Sequence, residues 1–111
     1  MEPDTIRILI PALIRHCNHP DPCVRFWSVF ALGQIATPED DHIKEVLLAK
    51  TADDQIAAGY WSVGREAQCA LIGFNDSNYL DSLRAEWDAL AREGSALDRE
   101  WAFFYESQTP A

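Results

Sequence analysis

Apolar residues recur at spacings of three and four over most of the chain, beginning with Ile6, Leu9, Ile10, Leu13 and Ile14, and this places a first helix over residues 5–17. Pro11 lacks an amide hydrogen, so the helix is expected to kink there or to begin its regular part nearby. After the turn Asn18-His19-Pro20-Asp21-Pro22, Asp21 is placed to cap a second helix with Pro22 as its first residue. That helix carries one stripe of Val24, Trp27, Ser28, Ala31, Leu32 and Ile35. Phe26, Val29 and Phe30 lie on its other side, so it is apolar nearly all round and must be sandwiched or lend a face to a partner.

Thr37-Pro38-Glu39-Asp40 reads as a second start signal, predicting a third helix from about Pro38 to Lys50 with Ile43, Val46 and Leu47 inward. Residues 51–60 interrupt the pattern and are expected to form a long loop with room for one helical turn. Ser62 can cap a fourth helix carrying Val63, Ala67, Ala70, Leu71 and Phe74 on one stripe. The turn Asn75-Asp76-Ser77-Asn78 leads to a fifth helix from Tyr79 to Arg92, closed by Gly94. Ser95 to Asp98 resembles a capping box for a last helix to about Glu106. No run alternates in the manner of a strand, and the chain reads as entirely helical.

Sliding the second helix onto the fourth aligns Val24 with Val63, Ser28 with Ala67, Ala31 with Ala70 and Leu32 with Leu71, each pair 39 positions apart. Small residues at these places let helices approach closely while the larger ones fill the layer between them. The segment HPDPCVRFWSVFALGQIA resembles the HEAT-like repeat, of the kind also found in phycobilin lyases. That resemblance implies a short right-handed α-solenoid of about three hairpins and six helices, one domain over residues 1–111 with hairpins at about 4–36, 37–75 and 77–106. It also implies that Arg25 pairs with a turn acid of a neighbouring repeat, and that the second helices line the concave side. The second copy departs from the pattern, with Gly64 where Arg25 stands, Ile72 for Gly33 and a longer preceding loop.

Composition narrows the function. Eighteen acidic residues against nine basic give a formal charge of −9, which disfavours nucleic acid and membrane surfaces and favours a basic protein partner. Cys17, Cys23 and Cys69 are an odd number behind a start without a secretory pattern, which leads us to expect reduced thiols in the cytoplasm. The apolar run Ile8 to Ile14 is too short to span a bilayer.

His16, Cys17, His19 and Cys23 hold four zinc-ligand side chains in poor spacing, and a solvated turn with thiols tucked against the core accounts for them better. The acids Glu39, Asp40, Asp41, Asp53 and Asp54 read as first-turn caps and solvated charge, with no nucleophile or calcium-loop pattern beside them. No catalytic residue, cofactor or metal is therefore expected. The working surface is assigned to Phe26, Trp27, Phe30, Tyr60, Trp61 and Glu66, aromatic anchors beside an acid at the second-helix face. The function expected is a protein-binding adaptor or inhibitor. An acidic immunity-type protein against a basic toxin or nuclease and a lyase-like or chromophore-handling component are the alternatives, and aromatics of the last helix could close the core or form a homodimer seam.

Overall fold

The computed structural model describes residues 7–37, 39–59 and 61–109. Within them, capping chemistry sets out six helices: α1 (Ile10–His16), α2 (Pro22–Ile35), α3 (Asp41–Lys50), α4 (Val63–Phe74), α5 (Ser77–Glu93) and α6 (Ala96–Gln108). The Asp21 carboxylate accepts from Cys23 N–H at 2.9 Å and Pro22 opens α2, as the sequence predicts. Ser62 caps α4, and Ser95 with Asp98 closes a reciprocal capping box on α6. α4 ends at Asn75 in the left-handed conformation, φ 52°, which a short polar side chain tolerates.

Two expectations are corrected. The third helix starts at Asp41 rather than near Pro38, because the Asp40 carboxylate turns back to accept from both the backbone N–H and the hydroxyl of Thr37, so Thr37 caps nothing (Pro38 lies outside the described residues). The loop before α4 is not wholly irregular: β1 (Ile56–Ala58) and β2 (Trp61–Ser62) pair as a small antiparallel ribbon. Gly59 supplies the positive φ of 57° that its tight turn requires.

α1 packs on α2, α3 on α4 and α5 on α6, while α2 against α4 is the most extensive contact between successive pairs. The smallest dimension, 20 Å, is what two helix layers 8–10 Å apart require. Three of the four pairs aligned at the 39-position offset play matching parts: Leu32 and Leu71 are buried, as are Ser28 and Ala67, with Ala31 and Ala70 half-buried, whereas Val63 is buried and Val24 only half-buried. At Gly33 the two helices come so close that an added Cβ would lie 2.9 Å from the Ala70 Cβ. The sequence stripe of α2 is turned, however. Burial centres on Phe26, Val29 and Leu32 with Ser28, and Trp27 is 61% exposed.

Ion pairs tie the first two hairpins to turns and loops later in the chain. Arg7 grips Asp40 with two hydrogen bonds of 3.0 and 2.7 Å, Arg25 reaches Asp53 at 2.8 Å, and the buried Lys44 meets Asp76 at 2.8 Å. The pairing implied for Arg25 by the repeat resemblance is thus present, and its guanidinium also donates to the carbonyls of His19 and Pro20 and to the Gln55 side chain. Asp53 is therefore a structural anion and not merely solvated charge. Lys44 lies over the rings of Phe74 and Tyr79 at 5.7 and 5.9 Å, which compensates part of its lost hydration.

These pairs make stability depend on acid. Asp40 is held well below the usual carboxylate range, first by the Arg7 guanidinium and then by Thr37 N–H; Asp76 is lowered by Lys44 and then by Asn78 N–H. Because both folded values lie below the ordinary 3.8, the stability they contribute is present above that pH and is lost as the pH falls from it through the lower folded values. Thermal melts are expected to show a midpoint that drops steeply below this value. Asp76→Asn should lower the midpoint at neutral pH and flatten the acid limb; an unchanged acid limb would remove Lys44–Asp76 from the account.

Candidate functional site

Three second helices, α2, α4 and α6, lie in a row, and grooves run along both sides of α4. The groove between α2 and α4 has a volume of about 320 Å³. Gly73 leaves volume out of its lining beside the close Gly33–Ala70 contact, while Phe30 and Phe74 contribute rings. Its polar groups are Gln34, Glu66 and Cys69. A groove of about 350 Å³ on the opposite side shares Cys69 and Gly73 and is completed by Phe104 and Gln108 of α6.

The residues expected from the sequence are distributed unevenly around this face. Phe30, 38% exposed, and Glu66 share the first groove. Trp27 stands beside Phe30, ring centroids 5.6 Å apart and edge-to-face, but lines a separate depression with Leu13 and Val24. Trp61 supports the face from beneath: its Nε1–H donates to Glu66 Oε2 at 2.8 Å, and its ring meets Trp101 edge-on at 5.0 Å. Phe26 is withdrawn from the surface, since at 9% exposure it belongs to the core beneath Trp27. Tyr60 lies outside the described residues.

Reading the sequence missed Gln34, Cys69, Gly73, Phe74 and Phe104. The signal for one of them was in plain view, since Gly73, one turn from Ala70 on α4, marks where volume is left out. A further, mainly apolar hollow of about 480 Å³ sits among Trp61, Leu97, Trp101 and Phe104, with Glu100 as its charged lining residue.

Electrostatics in the first groove raise the proton affinity of its acids. Burial raises the Glu66 carboxyl, against the opposing hydrogen bond from Trp61. The Cys69 thiol is pushed up to about 12, chiefly by burial and then by the charge of Glu66, and burial raises Cys17 despite Lys50 nearby. Thiols so raised stay protonated at neutral pH and are poor nucleophiles. The His16, Cys17, His19 and Cys23 cluster does not converge: Cys17 is buried, Cys23 Sγ donates to the Ala57 carbonyl, and His19 Nδ1 accepts from Asp21 N–H.

The HEAT repeat family model matches residues 9–37, the span of α1, the Asp21-Pro22 turn and α2. No curated protein and no solved structure matches the chain significantly. With the six helices of the described residues packed as successive pairs, the chain has an all-α helical-repeat fold, similar over its first hairpin to the HEAT repeat. Among the described residues, no helix is long and apolar enough to cross a membrane.

Proposed function

We propose that the chain is a protein-interaction module, a single HEAT-like repeat domain of three hairpins at about 4–36, 37–75 and 77–106, that holds a partner along the grooves flanking α4. HEAT repeats commonly serve as interaction modules, which supports the class of function. Gly73 carries the choice of surface. A glycine inside an exposed helix costs about 1 kcal/mol relative to alanine, yet a Cβ at Gly73 would meet nothing within 4 Å. The fold has no steric need for that glycine, while a guest in either groove does.

The partner is read as a protein more basic than this one, drawn by the net charge of −9 and retained by Phe30 and the groove walls. Binding rather than catalysis fits thiols that burial keeps neutral. Three free cysteines suit the reducing cytoplasm to which we assign it.

Because space above Gly73 is empty, Gly73→Leu should fill both grooves without disturbing the core. Affinity purification from the source cells is expected to recover a stoichiometric protein with the wild type and to lose it with Gly73→Leu, whose helical circular dichroism and melting midpoint stay at or above wild-type values. Equal recovery by both proteins, or recovery of none, would overturn the choice of this face.

A further inference from the structure

We infer that the groove between α2 and α4 receives a lysine or arginine side chain from a basic segment of the partner, with Glu66 as its counter-ion. This rests on the reading that the second-helix face binds protein, and it specifies the chemistry of what enters. Four observations converge on it. Glu66 is the sole charged side chain among the described residues lining the groove, so an incoming cation meets one anion and no competing positive charge. The remaining lining mixes Gln34 and Cys69 with Ala70, Gly73, Phe30 and Phe74, and the apolar part suits a long aliphatic stem whose charged end meets the carboxylate.

Glu66 is also pre-positioned. Trp61 Nε1–H holds Oε2 at 2.8 Å, and Trp61 is itself fixed by edge-to-face contacts with Trp101 at 5.0 Å and Phe104 at 6.5 Å. That leaves Oε1 without a hydrogen-bond partner among the described residues and able to accept from a guest. Lastly, the carboxylate is half-buried and carries an incompletely compensated desolvation cost, raising its proton affinity. A cation entering the groove supplies that compensation, and a charge-assisted hydrogen bond in a partly dehydrated site is worth more than one at the open surface. An acidic or purely apolar segment would leave the carboxylate uncompensated and is disfavoured.

The test uses a displayed library of random twelve-residue peptides, panned in parallel on the full chain and on Glu66→Gln, which keeps the shape and the acceptor for Trp61. Wild-type selection is expected to enrich peptides with a lysine or arginine flanked by apolar residues. The best of these, synthesised and titrated by NMR, should shift the Trp61 indole proton and the amides of Ala70 and Gly73. Replacing its basic residue by norleucine, or using Glu66→Gln, should weaken binding roughly ten- to hundredfold, the loss typical of a hydrogen bond to a charged group. Peptides that bind the groove, as judged by loss with Gly73→Leu, but bind Glu66→Gln equally well would overturn this inference and leave the binding face standing. Enrichment of peptides whose shifts fall on the Leu97 and Trp101 hollow, or of none at all, would overturn both.

Discussion

Trp87→Ala is expected to cost about 3–5 kcal/mol, a large share of the roughly 5–15 kcal/mol by which domains are stable. Trp87 is 1% exposed and stacks on Tyr105 with ring centroids 5.5 Å apart, joining α5 to α6. Its Nε1–H donates to Gln68 Oε1 at 3.1 Å, joining α5 to α4 through a buried hydrogen bond. Removing the indole therefore opens a cavity between three helices and strands the Gln68 carbonyl together. Trp87→Phe separates the two effects, because it restores most of the volume and leaves the acceptor unpaired at a cost of about 1–3 kcal/mol. Urea denaturation of both variants checks this. A loss below about 1 kcal/mol for the alanine variant would mean that the last hairpin is not docked through Trp87.

The second large effect is assigned to Gly64→Ala, and here the cause is backbone rather than side chain. A Cβ at Gly64 would lie 2.6 Å from the Thr51 carbonyl oxygen and 2.7 Å from that of Asp53. Neither oxygen can swing aside as a side chain could, and the Asp53 carbonyl is at the same time accepting from Gly64 N–H at 2.7 Å. The loop must move as a unit, which loosens the Arg25–Asp53 pair as well. The expected loss is about 3 kcal/mol, at the upper end for overpacking. Gly73→Ala, in the same helix, should be neutral or stabilising by about 1 kcal/mol. Equal midpoints for the two alanine variants in the same denaturation series would refute the close approach of the loop to α4.

These glycines also show how far the sequence carries. Helix starts at Asp21, Ser62 and Ser95 were legible because capping is local chemistry, complete within four residues. The aligned pairs from Val24 and Val63 to Leu32 and Leu71 were legible because a repeat states its packing twice. Gly64 could be seen only as a departure from the pattern, since its reason is a loop thirteen residues earlier in the chain passing over it. Asp40 misled for a similar reason: its preferred donors include Arg7, 33 positions away, so a local capping rule chose Thr37 instead.

For the candidate site, the apolar girth of α2 did signal a face left for something else, but not which rings compose it. Phe26 and Trp27 are adjacent in sequence and 100° apart on the helix, and only the packing of neighbouring elements decides that Phe26 is covered and Trp27 is not. The pairing of Phe30 with Glu66 across two helices depends on the same placement. The ribbon escaped notice because strands of three and two residues are too short to display an alternation.

The last pair of helices meets the rest of the molecule through α4 by fewer contacts than α2 does, and it leans on Lys44–Asp76, Trp87–Gln68 and Trp61–Trp101 for its attachment. Such a graded interior gives the chain a cheaper exit than complete denaturation. α5 and α6 can detach as one cooperative unit while α1 to α4 persist, so the amides of the final third report a smaller opening free energy than those of the α2–α4 seam.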